Sequence, residues 1–259
     1  MELGLTGKAA LITGGSEGIG KATALELARE GTSVAICARR PDVLAAAAEE
    51  IRAAGGAIEA IQADVTNPEE CQRVVAATVQ RFGRLDILVN NAGTSAAAPF
   101  ESVGDDAWGY DLDLKLMAAV RCSRAALPHM RAAGAGRIVN ITAVSGKHPG
   151  ASSLPTSVSR AAGIALTKAM SKDLASENIL VNAVCIGLVK SGQIERAARA
   201  RFPEGDLAAA YQAMGANVPL RRVGEAEEVA ALIAFLVSAR ASFITGVAIN
   251  ADGGMSAVV

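Results

Sequence analysis

Short apolar runs, rich in β-branched residues, alternate along the chain with longer stretches rich in Ala and Leu. The runs are continuous rather than interrupted by polar residues, which is typical of strands buried on both faces of a parallel sheet. Seven strands are predicted, at 9–13, 33–38, 57–63, 87–90, 137–141, 180–184 and 247–250. Helices are predicted between them, among others at 21–29, 43–54, 68–82 and 108–133. This order predicts an α/β fold, a Rossmann-type doubly wound parallel sheet flanked by helices on both faces.

No change of composition, internal repeat or linker divides the chain. We therefore predict that residues 1–259 form a single domain, an ordinary length for a large α/β sheet. The segment 191–222 interrupts the alternation with polar and helical residues. It is predicted to be an insertion beside the functional site that acts as a lid.

Composition narrows the classes of partner. The net charge of −1 disfavours nucleic acid, and no apolar run is long enough to span a bilayer. The start of the chain lacks the basic and apolar regions of a secretory signal. The cysteines are scattered without a C-x-x-C pair, at Cys37, Cys71, Cys122 and Cys185. We expect reduced thiols in a cytoplasmic protein and, because only His129 and His148 are histidines, no metal site.

The first predicted strand ends in a glycine-rich run, Thr-Gly-Gly-Ser-Glu-Gly-Ile-Gly at 13–20, and a helix follows. Glycines let the backbone turn tightly and approach a pyrophosphate, and the helix N-terminus supplies N–H donors. The position at a strand-to-helix junction favours a nucleotide site over a merely structural turn. The residues predicted to bind there are Gly14, Ser16, Gly18, Ile19 and Gly20.

The spacing of Gly14, Gly18 and Gly20 resembles that of the short-chain dehydrogenase/reductase family. Further motifs similar to this family's follow in order over nearly the whole chain: Ala-Asp-Val at 63–65, Asn-Asn-Ala-Gly at 90–93, Val-Asn-Ala-Val at 181–184 and Asn-Ala-Asp-Gly-Gly at 250–254. The resemblance implies an oxidoreductase that acts on a small carbonyl or alcohol substrate with a nicotinamide cofactor. It also implies a homodimer or homotetramer, assembled through the long fourth and fifth helices and the last strand region.

The same resemblance assigns residues to the cofactor. The acid of the Ala-Asp-Val motif faces the adenine in the family, and Asn-Asn-Ala-Gly lines the cofactor cleft. The run 186–191 resembles the family's P-G-x-x-x-T, with Ile186 in place of the proline and with Ser191 keeping the hydroxyl that contacts the nicotinamide carboxamide or a phosphate. The residues so assigned are Asp64, Val65, Asn91, Ala92, Gly93, Gly187, Val189 and Ser191.

Two arginines, Arg39 and Arg40, follow the second predicted strand. An acidic residue at this distance from the glycines would bind the ribose 2′-hydroxyl of NAD, whereas an arginine accommodates a 2′-phosphate. We therefore predict NADP(H), with NAD(H) as the less favoured cofactor. Glu17 departs from this pattern, because many NADP-preferring relatives carry a basic residue there. The alternative is that Arg39 is an ordinary solvated charge.

The residues that carry the family's chemistry are replaced. The resemblance implies Asn, Ser, Tyr and Lys, but these positions fall on Lys115, Ala143, Thr156 and Arg160. A threonine hydroxyl is a far weaker acid than a tyrosine, and it is shorter. Thr156 and Arg160 still share a helix face at i and i+4, and Arg160 can hydrogen-bond the cofactor ribose. Ala143 has no donor, so the family's ordinary mechanism is not available as written.

Other polar residues are candidates to replace them. In a partly dry cleft Lys115 can be a proton donor, a base or an amine nucleophile, or it can replace the asparagine structurally. His148, on the loop after the fifth strand, is either a general acid or a solvated side chain. A slip of the alignment would bring Thr142 or Ser145 to the substrate. Cys185 is predicted to be a small buried thiol.

Cationic side chains cluster around the predicted lid, at Lys190, Arg196, Arg199 and Arg201. They could attract an anionic substrate such as an acyl-CoA or a carboxylate. Glu195, Glu204 and Asp206 dilute that charge, which favours a solvated helix instead.

Three functions remain open from the sequence. The first is an NADP(H)-dependent oxidoreductase with a rearranged proton donor, supported by the cofactor motifs. The second is a non-redox enzyme that uses Lys115 for proton transfer or an imine. The third is a catalytically silent NADP(H)-binding or regulatory subunit, suggested by the joint replacement of the four catalytic positions.

Overall fold

Seven parallel strands build the centre of the protein, seen here in a computed structural model that describes residues 2–203 and 205–259. Their bounds are Ala9–Thr13 (β1), Ser33–Ala38 (β2), Ile58–Gln62 (β3), Ile87–Asn90 (β4), Gly136–Ala143 (β5), Ile179–Ile186 (β6) and Ala248–Ala251 (β7). They pair in the order 3-2-1-4-5-6-7. Each predicted strand is present, and β5 and β6 each extend further toward the carboxyl edge than their apolar runs indicated.

The strand order reverses between β1 and β4. The chain leaves β1 toward β2 and β3 on one side and then returns to place β4 on the other side of β1. In open α/β sheets a crevice forms outside the carboxyl ends of the strands at such a reversal. The fold therefore places the glycine-rich run that follows β1 beside the Asn-Ala-Gly run that follows β4.

Helices cover both faces of the sheet. Their bounds are Gly18–Arg29 (α1), Pro41–Ala53 (α2), Pro68–Phe82 (α3), Asp105–Leu112 (α4), Ala118–Ala132 (α5), Thr156–Leu174 (α6), Gly192–Arg201 (α7), Leu207–Gly215 (α8) and Ala226–Val237 (α9). One apolar core joins α1, α2 and α9 to the sheet, and a second core joins α3 and α5 to the opposite face. Strands covered in this way need apolar side chains on both faces, which is why their sequences lack alternation.

The helix predicted at 108–133 is the main departure from expectation. It begins earlier, with α4, and a π-helical turn at Asp113–Met117 separates α4 from α5. Such turns widen the helix by one residue and often occur at functional sites. Lys115 lies within this turn. The periodicity of apolar residues does not reveal a single inserted residue, so it could not predict this turn.

The predicted lid, 191–222, contains α7 and α8. Its first helix begins at Gly192, and the hydroxyl of the N-cap residue Ser191 accepts a hydrogen bond from the amide of Ile194 at 3.3 Å. Glu204, one of the acids expected to dilute the positive charge here, lies outside the described residues. Within residues 2–203 and 205–259, no helix combines the length and apolar character needed to cross a membrane.

A buried amide network joins the centre of the sheet to α6. Asn90 on β4 donates to the side-chain oxygen of Asn140 on β5 at 2.8 Å, and Asn140 donates to the hydroxyl of Thr167 at 2.9 Å. These three side chains are at most 7% exposed. Burying a polar group costs free energy unless the group is hydrogen-bonded. The network therefore holds β4, β5 and α6 in alignment next to the carboxyl edge.

We expect Asn140→Ala to lower the free energy of unfolding by about 1–3 kcal/mol, because it leaves the Asn90 amide without its 2.8 Å partner in the core. Urea denaturation measures this change. The matched control is Gln80→Ala on the exposed face of α3, which we expect to change stability by less than about 0.5 kcal/mol. Equal effects of the two substitutions would contradict a structural role for the network.

Candidate active site

The glycine-rich turn after β1 is closed by direct contact between backbone segments. A Cβ at Gly20 would lie 2.3 Å from the carbonyl oxygen of Gly14, so no side chain fits there. The N-cap residue of α1, Glu17, makes no side-chain hydrogen bond to the first turn. The amides of that turn are therefore not capped by a side chain, and together with the helix dipole they suit a phosphate group.

The loops after β1 and β4 are held together at the strand reversal. The Thr13 hydroxyl accepts hydrogen bonds from the amides of Asn91 and Ala92, both at 3.0 Å. The Asn91 side chain donates to the carbonyl oxygens of Thr13 at 3.0 Å and Gly14 at 2.9 Å. Asn91 thus builds the floor of the crevice by supporting the turn, and Gly14 and Ala92 form adjacent walls.

A cavity of about 970 Å³ occupies this crevice, which is large for a single small ligand. Of the residues predicted to bind the cofactor, all but Gly20 line it: Gly14, Ser16, Gly18, Ile19, Arg39, Arg40, Asp64, Val65, Asn91, Ala92, Gly93, Arg160, Gly187, Val189 and Ser191. Ala143 and Thr156 line it as well, whereas Lys115 does not. Gly20 instead packs beneath the turn.

The two arginines after β2 have different surroundings. Arg40 forms an ion pair with Glu17, so its charge is already compensated. Arg39 donates to the hydroxyl of Tyr110 at 2.9 Å and lies 3.9 Å from the Asp64 carboxylate. Tyr110 on α4 is 43% exposed, and its contact with Arg39 brings α4 to this end of the cavity.

The start of α7 closes the cavity on the side of the β4 loop. Gln193 donates to the carbonyl oxygen of Gly93 at 3.1 Å and accepts from the amide of Ser95 at 2.8 Å. Gln193 and Arg196 both line the cavity. Sequence reasoning missed Gln193, since a single glutamine about one hundred residues from its partners carries no local signal.

A buried polar cluster lies under the far wall of the cavity. The Lys115 ammonium contacts the Asp111 carboxylate and donates to the Thr156 hydroxyl at 2.9 Å. The other carboxylate oxygen of Asp111 accepts from Ser159 at 2.6 Å. The Lys115 and Asp111 side chains are 0% and 2% exposed. Asp111 and Ser159 were not foreseen, although the i, i+4 spacing of Asp111 and Lys115 was a usable signal.

Burial lowers the pKa of Lys115 to about 8, because the cluster holds the ammonium away from water. The hydrogen bond that Lys115 donates to Asp111 opposes this shift, and the positive charge of Arg160 adds to it. A lysine with such a pKa releases a proton near neutral pH far more readily than an exposed lysine.

The Thr156 hydroxyl connects this cluster to the cavity. Its oxygen accepts one hydrogen bond from Lys115 and a second from the amide of Ala96, each at 2.9 Å. A hydroxyl has two lone pairs and one proton, so both acceptor positions are used. Within the described part of the chain no acceptor pairs with the proton of this hydroxyl. Because Thr156 lines the cavity, a ligand there can accept that proton.

Arg160 lies one turn further along α6. One of its terminal nitrogens donates to the carbonyl oxygen of Ile141 at 2.6 Å. The guanidinium also passes so close to Gly93 that a Cβ there would lie 2.8 Å from it, which explains the glycine. The Nε atom is buried without a partner. Burial lowers the pKa of Arg160 to about 10, while the charge of Asp111 partly opposes the shift.

The remaining candidates separate clearly. Thr142 is buried and contacts the Cys185 thiol at 3.0 Å, so it faces the core. Cys185 is itself buried, as expected. Ser145 lines the cavity beside Ala143. His148 is exposed and does not line the cavity.

Comparison with known proteins identifies the family. The family model for short chain dehydrogenases matches residues 8–201. A 3-oxoacyl-[acyl-carrier-protein] reductase of Synechocystis sp. is 37% identical over 253 residues, which cover 97% of this chain and 98% of that protein. The chain therefore belongs to the short-chain dehydrogenase family, and this resemblance, inferred from the motifs, is confirmed.

Solved structures agree. L-sorbose reductase from Gluconobacter frateurii, complexed with NADPH and L-sorbose, has a TM-score of 0.96 at 33% identity, with 100% of both chains covered. An NAD+-bound xylitol dehydrogenase has a TM-score of 0.88 at 33% identity, with 96% of this chain and 99% of that chain covered. The predicted Rossmann-type fold is thus confirmed, and the similar proteins are oxidoreductases.

We expect Lys115 to titrate with a pKa of about 8, which NMR of ¹³Cε-labelled lysine measures directly. Asp111→Asn should lower this pKa further, because the carboxylate stabilises the ammonium form. Ser159→Ala, which leaves the carboxylate in place, is the matched control and should move the pKa less. A midpoint near 10.5 in the unaltered protein would contradict the dry environment of the cluster.

Proposed function

We propose that this protein is an NADP(H)-dependent oxidoreductase that interconverts a carbonyl and an alcohol with a non-standard set of proton-transfer residues. One observation carries the proposal. The Thr156 hydroxyl borders the cavity, accepts hydrogen bonds from Lys115 and Ala96, and keeps its own proton for a ligand. Membership of the family and the lining of the cavity support the oxidoreductase class.

The cavity fits a dinucleotide. The uncapped first turn of α1 would hold the phosphates, and the loop at 91–93 would lie along the ribose and nicotinamide. Arg39 favours NADP(H), since its guanidinium is not committed to a close ion pair and can bind a 2′-phosphate. Similar proteins are found with NADPH and with NAD+, so the relatives do not distinguish the two cofactors. The proposal of NADP(H) therefore rests on Arg39. When bound, the reduced nicotinamide supplies a hydride.

The protein's own residues handle the proton. The Thr156 hydroxyl donates to the substrate oxygen and, as negative charge develops there, transfers its proton. Lys115 replaces that proton through the 2.9 Å hydrogen bond. Asp111 holds the ammonium in place, and the neighbouring charges of Lys115 and Arg160 stabilise the developing alkoxide. Threonine alone is too weak an acid, but as a relay it passes on the acidity of Lys115.

The geometry bears on the two other functions. The Lys115 side chain is 0% exposed and is held by Asp111 and Thr156, which disfavours attack on a substrate carbonyl to form an imine. A silent binding subunit would need no proton donor at the cavity wall. The Lys115–Thr156 pair therefore favours an active enzyme.

We further propose a cytoplasmic homodimer or homotetramer. The four cysteines are free and buried, as suits a reducing compartment. Apolar side chains are exposed on α6 at Val158 and beyond β7 at Val258, which are the regions that the family's assembly would cover.

Arg39→Ala should weaken NADPH binding about 10-fold and leave NADH binding nearly unchanged, because only the former carries the 2′-phosphate. Fluorescence titration of each nucleotide measures both constants. Arg52→Ala on α2, another exposed arginine, is the control and should alter neither. Equal losses for NADPH and NADH, or no binding of either at millimolar concentration, would count against the assignment.

Thr156→Val should lower kcat for carbonyl reduction by about 100-fold or more. Thr156→Ser should lower kcat by less than about 10-fold, because serine retains the hydroxyl. The kcat for reduction should fall as pH rises above about 8, since Lys115 then loses the proton that it supplies. NADPH titration of each variant shows that the cofactor site is intact. Full activity of the valine variant would contradict the proton relay. An unchanged pH dependence of kcat in Lys115→Met would contradict it as well.

A further inference from the structure

Among residues 2–203 and 205–259, Arg160 is a buried cation that forms no ion pair with a carboxylate. It is 8% exposed, and its only hydrogen bond within residues 2–203 and 205–259 goes to the backbone oxygen of Ile141. Its Nε has no partner at all. Burying an unpaired charge is costly, and proteins usually compensate it with a carboxylate or a bound ligand.

The neighbouring carboxylate, Asp111, makes no direct ion pair with Arg160. Its two oxygens instead contact the Lys115 ammonium and the Ser159 hydroxyl, the latter at 2.6 Å, and its charge only partly opposes the effect of burial on the pKa of Arg160. Cys185 is the other titratable group that acts on Arg160, and burial raises the pKa of its thiol, which keeps it neutral. Two buried cations therefore face one carboxylate, and one positive charge beside the cavity is left over.

Arg160 and Thr156 lie on the same face of α6, one turn apart, and both line the cavity. Side chains at this spacing have Cβ atoms about 5–6 Å apart. A single small ligand can therefore receive the Thr156 proton at one oxygen and meet the guanidinium with another group. A planar guanidinium with a free donor is suited to a carboxylate.

We propose that the substrate is a small oxo acid, in which Arg160 binds the carboxylate while the adjacent ketone accepts the Thr156 proton. This assignment of the substrate class rests on the proposed function. In the reduction, the ketone carbon would gain a hydride from the reduced nicotinamide of the proposed cofactor, and the C=O π electrons take the proton from Thr156. Thr156 recovers a proton from Lys115, which is recharged from water once the product has left, and the product is a hydroxy acid.

The first experiment compares matched substrates within each variant. Acetoacetate and 2-oxobutanoate are assayed beside their uncharged methyl esters, with NADPH consumption as the readout. The ratio of kcat/KM for acid over ester cancels any change in cofactor binding or in the folded fraction. We expect a ratio of at least 10 in the unaltered protein, close to 1 in Arg160→Met, and intermediate in Arg160→Lys.

Arg196→Met is the matched control, because Arg196 also lines the cavity but is exposed on α7. This substitution should change the acid-to-ester ratio of kcat/KM by less than about 3-fold relative to the unaltered protein. A ratio near 1 in the unaltered protein overturns the inference, and so does a ratio lost in Arg196→Met but kept in Arg160→Met. A tenfold loss of NADPH affinity in Arg160→Met with an unchanged ratio would overturn the inference and show that Arg160 binds the cofactor ribose instead.

A binding arm separates this inference from the proposed function. Oxamate and methyl oxamate, which carry no reducible ketone, are titrated against the protein by calorimetry with and without NADPH. We expect oxamate to bind at least 10-fold more tightly than its ester, and Arg160→Met to lose the difference. Oxamate binding without turnover of any carbonyl would support the carboxylate site and contradict the proposed redox function. Turnover of the esters without oxamate binding would support the redox function and contradict the carboxylate site.

Discussion

The hydrogen bonds that join the loops after β1 and β4 are the constraint on which the site depends. Thr13 and Asn91 connect the two segments at the point where the strand order reverses. The parallel sheet brings the ends of its strands to one edge, and these hydrogen bonds hold the two loops together there. The glycine-rich turn, the arginines after β2 and the first helix of the 191–222 segment all line the same crevice.

Charge within that crevice is unevenly distributed. At the β2 end, Arg39 and Arg40 are half-exposed and lie near the carboxylates of Asp64 and Glu17, so solvent moderates their interactions. At the α6 end, Lys115 and Arg160 are buried with a single carboxylate between them. The proposed function gives these residue types different roles: the exposed arginines would select a ligand phosphate, whereas the buried cations would supply a proton and stabilise negative charge.

In the proposed function, the predicted replacements of the family's usual catalytic residues compensate for one another. A threonine in place of tyrosine would be a poor acid by itself, and a lysine in place of asparagine would be an expensive buried charge. Placed 2.9 Å apart, each compensates for the other's weakness. The π-helical turn supports this arrangement, because it carries Lys115 next to Asp111 and Thr156 inside the fold.

The sequence by itself determined the fold class and the positions of the strands, and nearly all of the cofactor residues that it predicted line the cavity. These follow from local rules: apolar runs mark buried parallel strands, and glycine spacing marks a turn that must accept a close backbone. The sequence could not place Lys115 behind Thr156, pair Arg40 with Glu17, or bring Gln193 to Gly93. Those contacts join residues far apart in the chain, and a widened helical turn shifts one of them without changing the apolar pattern. Only the tertiary structure decided which charges were buried together, and that burial gives Lys115 and Arg160 their chemical character.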